Sequence, residues 1–301
     1  MNQINSFYKN YEFLDSGESR RLERFGQYLI DRPAQQAAYD KALDRYAWNR
    51  ADLCFKDGVW LDNKEKEVRK NVSWDMEVSG VNFKLRLSKS GQVGIFPEQF
   101  VNWHWIYEVI SEHLKKSGNK LYNNVNKFNV VNAFAYTGGA SLFPAIAAKD
   151  FTSEICHVDG SKSAVNWAGE NARNNGLTNI RWIVNDVLTF FWREARRHKL
   201  YEGIILDPPA FGRGGNKTWS MAKDIDALLE ATKALISPAG PLFFVMSCHD
   251  VDLTSFALKG IISNALGIPV KFVETLELIL PSVRGNPLPC GICARFKKAS
   301  D

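Results

Sequence analysis

No stretch of this 301-residue chain approaches the ~20 consecutive apolar residues that a membrane-crossing helix needs. The opening Met1-Asn-Gln-Ile-Asn-Ser-Phe-Tyr-Lys-Asn10 lacks the apolar core of an export leader. A cytoplasmic protein with no membrane partner is the expectation. Cysteine is scarce: Cys54, Cys156, Cys248, Cys290 and Cys293 make an odd set, which argues for reduced thiols over a disulfide framework. Cys290-Gly-Ile-Cys293 has the spacing of half a zinc or redox motif, but there is no second pair. Residues three apart on a strand also face opposite sides, so no metal is expected. Charge of one sign is not in great excess either. The formal net charge is +5, which permits an RNA partner without requiring one. Internal repeats and low-complexity segments are absent, and so is the Gly-x-Gly-x-x-Gly fingerprint of a dinucleotide site.

What is present is the composition of a soluble globular protein, with 45% hydrophobic and 24% charged residues. The length suits one large domain and a smaller one. Two textures divide the chain. Residues 1–95 carry charged turns, scattered tryptophans and short alternating runs such as Val81-Asn-Phe-Lys-Leu-Arg-Leu87, the mark of a half-buried strand. A small α+β domain on the substrate side is expected there. In residues 96–301, Trp103, Ile106, Tyr107, Ile110 and Leu114 first recur at helical spacing. From Phe128 onward, strand and helix then alternate. Apolar runs at Phe128–Phe134, Ile155–Val158, Ile180–Val184, Gly203–Leu206 and Leu242–Ser247 predict a Rossmann-like, doubly wound, mostly parallel α/β sheet. The last two runs, near Lys271–Leu280 and Pro289–Phe296, have no helix between them and suit an antiparallel hairpin at its edge.

Short polar motifs follow these strands at intervals of roughly 20 to 27 residues, at the sheet edge where open α/β proteins bind ligands. The first is Asn132-Ala-Phe-Ala-Tyr-Thr-Gly-Gly139, a glycine turn that lets backbone approach a ligand and aims helix N–H groups at it. Asp159 is placed to accept hydrogen bonds from a ribose diol, and Asp186 from an adenine amino group. Either acid can instead be a helix N-cap. Asp207-Pro-Pro-Ala-Phe211 is the sharpest motif. Two prolines fix an extended turn, leaving the Asp207 carboxylate directed into a cleft with Phe211 available to stack on a base. An ordinary rigid strand exit is the plainer alternative. Together the motifs read as an S-adenosylmethionine site beside a reaction site.

Residues 128–248 resemble the class I S-adenosylmethionine-dependent methyltransferases, and more narrowly the bacterial large-subunit rRNA cytosine-5 methyltransferase family. The residues that carry the likeness are Asn132–Gly139, Val158-Asp-Gly-Ser161, Asn171-Ala-Arg-Asn-Asn-Gly-Leu177, Asn185-Asp186 and Ile205-Leu-Asp-Pro-Pro-Ala-Phe-Gly212. Gly94-Ile-Phe-Pro-Glu-Gln99 resembles that family's segment before the catalytic domain, except that Phe100 stands where an arginine is common. No RNA-binding PUA domain is recognisable ahead of it. The resemblance implies S-adenosyl-L-methionine as cofactor, with Tyr136, Thr137, Gly138, Asp159, Asp186 and Asp207 around it. It also implies RNA, ribosomal RNA above all, as substrate, with Pro208, Pro209 and Phe211 on the substrate side.

In that family a Ser-Cys after the fifth strand carries the nucleophile, and Ser247-Cys248 holds that place. C5 of a pyrimidine becomes nucleophilic only after a thiolate adds to C6. Cys248 would need a depressed pKa, to which His249 could contribute; a packed, inert thiol is the alternative. With an inert Cys248, the Asp207 motif could hold an exocyclic amine for N-methylation. O-methylation of another acceptor and a non-catalytic RNA-binding protein are the remaining readings. His104 and His113 are expected at the surface or filling the core, Trp103 and Trp105 to pack rather than serve as base platforms, and Arg193, Arg196, Arg197, His198 and Lys199 to form a solvated helix end, with a phosphate contact as the alternative.

Overall fold

The computed structural model describes residues 9–69, 71–117, 128–214, 217–238 and 240–298; residues 1–8, read above for a leader, lie outside the described residues. The chain divides into two units, Met1–Phe100 with Leu278–Cys290, and Val101–Glu277 with Gly291–Asp301.

The first unit is rich in strands. β1 (Tyr11–Gly17), β2 (Arg20–Phe25), β3 (Tyr28–Pro33), β4 (Leu53–Lys56) and β5 (Val59–Asp62) form a five-stranded sheet in sequence order. A single helical turn, α1 (Arg45–Trp48), is capped by the Asp44 carboxylate and delivers Trp48 to a core with Leu22 and Leu29. β6 (Ser73–Val78) and β7 (Val81–Arg86) make a separate antiparallel hairpin. Alternate residues of both are buried, as the two-residue period requires. Tyr11, Arg21, Glu23 and Arg32 are buried together. Glu23 accepts from Tyr11 at 2.9 Å and from Arg32 at 2.7 Å. Burial pushes the Glu23 carboxyl up, but the Arg21 and Arg32 guanidiniums outweigh it and hold the pKa below its ordinary value.

The second unit begins at the second residue of α2 (Phe100–Ser117), which buries Trp103, Ile106, Ile110 and Leu114 on one face. β8 (Phe128–Ala133) leads to α3 (Gly139–Ala147), β9 (Ser153–Asp159) to α4 (Lys162–Asn174), β10 (Ile180–Val184) to α5 (Val187–Arg196), and β11 (Gly203–Leu206) to a short hairpin. That hairpin, β12 (Phe211–Gly214) with β13 (Lys217–Ser220), precedes α6 (Met221–Lys233), β14 (Phe243–Cys248) and α7 (Ser255–Leu266). β15 (Glu274–Leu280) and β16 (Leu288–Lys297) complete a seven-stranded sheet of order β10-β9-β8-β11-β14-β16-β15. The first five strands are parallel, and β16 pairs antiparallel with β14. This is the doubly wound sheet with an antiparallel edge that the alternation predicts.

The core explains the long apolar runs. β8, β11 and β14 are buried along their whole lengths, because helices cover both faces of a parallel sheet. Phe190, Phe191, Leu228, Leu229 and Leu258 from the helices pack on Val131, Ile204 and Phe244. Gly176, in the left-handed region at φ 65°, closes α4 just after its cap, as its position in the sequence predicts. Since β8 to β11 and β14 run the same way, Ala133, Asp159, Val184, Leu206 and Cys248 end at one edge of the sheet.

Candidate active site

The turn from β8 into α3 is unusual backbone. Phe134 and Tyr136 sit at φ 57° and 48°, a region bulky residues seldom enter. Neighbouring strands hold them there. The Tyr136 N–H donates to Asp159 Oδ2 at 2.8 Å, and the Ala135 N–H to the Val158 carbonyl at 3.1 Å. Asn171 Nδ2, buried on α4, donates to the Thr137 carbonyl at 3.0 Å. Gly138 is the N-cap of α3 at φ 97° and brings no capping side chain, so the helix start is not covered from within. A β-carbon at Gly139 would come within 2.1 Å of the Trp103 ring, so α3 packs on α2 as closely as its glycine permits.

Asp159 and Asp186 do different structural work. Asp159 is not a cap: Ser161 caps α4, accepting from the Ala164 N–H at 3.3 Å. The Asp159 oxygens accept instead from Tyr136 N and from Ser161 N at 2.7 Å. Each retains a lone pair for a further donor. Burial raises its pKa against these two hydrogen bonds. Asp186 is the N-cap of α5, accepting from the Thr189 N–H at 2.9 Å. A cap engages one carboxylate oxygen, so the role does not exclude a second donor.

At the end of β11, the Asp207 Oδ1 lies 3.0 Å from His249 Nε2, which follows β14. Both side chains are about a third exposed. Pro208 is buried and Pro209 exposed. The Pro209 carbonyl accepts from Trp219 Nε1 at 2.6 Å, and the Trp219 ring packs 4.9 Å from that of Phe134. Hairpin β12–β13 therefore links the Asp-Pro-Pro turn to the β8–α3 turn. Phe211, at its start, is 59% exposed. Sequence reasoning missed this hairpin, although Gly212 to Asn216, rich in glycine between Phe211 and Trp219, carried a turn signal. It also weighed His249 only as a neighbour of Cys248, not as the partner of Asp207.

Cys248 is fully buried in the sheet core. Burial pushes its thiol pKa up, and the Asp250 backbone N–H offsets this only in part. Its carbonyl is pressed by β16, since a β-carbon on Gly291 would lie 2.6 Å from it. Cys290 and Cys293 are both buried and fall in different units. Among the described residues no cluster of His, Cys, Asp and Glu is arranged to hold a metal. No helix of the described residues is long and apolar enough to cross a membrane. Trp103 stacks on Phe143 and Trp105 meets Phe243 edge-on.

Comparison with known proteins agrees with this geometry. A family model described as S-adenosylmethionine-dependent methyltransferase matches residues 15–284. Ribosomal RNA large subunit methyltransferase K/L of Shewanella frigidimarina is 31% identical over 226 residues, 74% of this chain and 28% of that protein. Ribosomal RNA large subunit methyltransferase I of Aeromonas salmonicida is 29% identical over 166 residues, 54% of this chain and 41% of that protein. The chain thus spans well under half the length of these curated relatives. The crystal structure of a SAM-dependent methyltransferase from Agrobacterium tumefaciens superposes with a TM-score of 0.80 at 29% identity, covering 96% of this chain and 90% of that one.

Proposed function

The chain belongs to the S-adenosylmethionine-dependent methyltransferase family, and from that membership we propose that it methylates a base nitrogen in ribosomal RNA of the large subunit. The names of the two curated relatives support the RNA class, and an exposed Phe211 beside the Asp-Pro-Pro turn offers a base a stacking face. The observation that carries the choice of atom is the contrast at the ends of β11 and β14. Asp207 and His249 are hydrogen-bonded and partly open, while Cys248 is sealed in the core with a raised pKa.

The residues of the first turn fit the cofactor. Asp159 keeps two lone pairs for ribose hydroxyls, Asp186 can accept from the adenine amino group, and the Tyr136–Gly138 backbone with the uncapped start of α3 faces the same strand edge. S-adenosylmethionine, when bound, supplies an electrophilic methyl group on sulfonium sulfur. Asp207 accepts a hydrogen bond from the amino group of the base and so orients the nitrogen lone pair. A nitrogen that received this methyl group would become acidic. Its proton passes to the Asp207–His249 pair and then to water.

A second reading, methylation at C5 of cytosine with Cys248 as nucleophile, is favoured by one observation: the Asp250 N–H at the sulfur stabilises a thiolate. One experiment separates the two. Labelled methyl transfer to ribosomal RNA from a strain lacking the protein, followed by nucleoside analysis, should give an N-methylated base. Cys248→Ala should stay within about twofold of wild type, and Asp207→Ala should lose on the order of 100-fold. 5-Methylcytidine from wild type, abolished in Cys248→Ala, would establish the carbon chemistry instead; label absent from RNA would remove both.

A further inference from the structure

Beneath the β8–α3 turn lies a chain of buried polar groups that the reaction does not use. Asn132 on β8 and His157 on β9 are register partners, and Ser141, in the first turn of α3, stands between them. Asn132 Nδ2 donates to Ser141 Oγ at 2.8 Å, and Ser141 Oγ lies 2.9 Å from His157 Nδ1. All three are fully buried. With the Asn132 amide donating to the hydroxyl, the Ser141 O–H is available to donate to Nδ1, the arrangement in which His157 carries its proton on Nε2. That Nε2 has no hydrogen-bond partner of normal geometry, though the Tyr136 backbone lies close enough to favour a proton there. A β-carbon on Gly138 would sit 3.8 Å from His157 Cε1. The Trp182 ring, 4.9 Å away, braces the imidazole on the β10 side.

A buried donor left without a full partner costs about 1–3 kcal/mol, and apolar side chains would fill these strand positions more cheaply. What the imidazole faces is the underside of the turn that bears Tyr136 and Gly138.

We propose that His157, held by Ser141 and Asn132, is a positioning residue that fixes the Tyr136–Gly138 turn for S-adenosylmethionine. The inference rests on the family's cofactor site and not on the identity of the acceptor. The test is calorimetric binding of S-adenosylhomocysteine to the whole chain, with hydrogen exchange of the turn amides as a second readout. His157→Leu and Ser141→Ala should each weaken binding roughly tenfold and speed exchange at residues 134–138. The double variant should be no weaker than His157→Leu alone, because the two act as one unit. His157→Gln, which keeps a donor and an acceptor, should recover most of the affinity. Unchanged affinity and turn exchange in folded His157→Leu would overturn the proposal; if that variant does not fold, the same result for Ser141→Ala would do so. Wild type that binds no S-adenosylhomocysteine would fail the cofactor site itself, a separate outcome.

Discussion

At the scale of single residues, Asp159 joins two backbones by accepting from Tyr136 N and Ser161 N. Removing its carboxylate releases the Tyr136 turn and takes away the acceptors proposed for the ribose. Asp159→Ala should therefore weaken S-adenosylhomocysteine binding by roughly 100-fold, and Asp159→Asn by less, because the amide keeps one acceptor. Calorimetry on the two variants reads the difference directly. Cys248 makes the opposite kind of prediction. A thiol with no exposure and a raised pKa should alkylate at least about tenfold more slowly at pH 7.5 than in urea, which mass spectrometry of iodoacetamide-treated protein would detect. Rapid modification of native Cys248 would reopen the nucleophile reading. The sequence located both residues but left the role of each open. Asp before a helix can cap or bind, and Ser-Cys at a strand end can react or pack. Only burial and hydrogen-bond partners separate these alternatives, and neither is encoded locally.

At the scale of elements, β8, β11 and β14 were legible because strands buried on both faces need uninterrupted apolar runs, and the helices between the strands need a 3.6-residue period. Hairpin β12–β13 was not, since each strand has only four residues and is too short to show an alternation. The close approach of β16 to β14 was equally hidden, because it rests on a glycine inside a strand. Gly291 adopts φ 128°, and its β-carbon would fall 2.6 Å from the Cys248 carbonyl and 3.0 Å from His249 Nδ1. Backbone cannot yield as a flexible side chain would. Gly291→Ala should cost about 2–3 kcal/mol, seen as a lower urea midpoint, and should reduce methyl transfer by shifting His249 away from Asp207. A variant with wild-type stability and activity would show that β14 and β16 can separate without consequence.

At the scale of the whole molecule, the two units differ in how acid acts on them. In the second unit, desolvation pushes the His157 pKa down to about 3 from an ordinary 6.5. Below pH 6.5 the unfolded chain takes up a proton that the native imidazole refuses, so stability falls as pH falls through that window. At pH 5 the loss is about 2 kcal/mol, and His113, also lowered by burial, acts in the same direction. Asp159 and Glu202, whose carboxyls burial raises, act in the opposite direction. The first unit depends on Glu23, whose pKa lies below its ordinary 4.5; its contribution is intact above that value and is lost only as pH drops below it. Acidification from pH 7 to 5 should therefore loosen the second unit first. Hydrogen exchange, corrected for intrinsic rates, should show protection falling across β8, β9 and β11 while β1 to β3 hold. His157→Leu carries no imidazole to protonate, so its urea midpoint should vary less between pH 7 and 5 than that of wild type. Earlier loss in β1 to β3, or an unchanged pH slope in the variant, would place the acid-sensitive group elsewhere than beneath the β8–α3 turn.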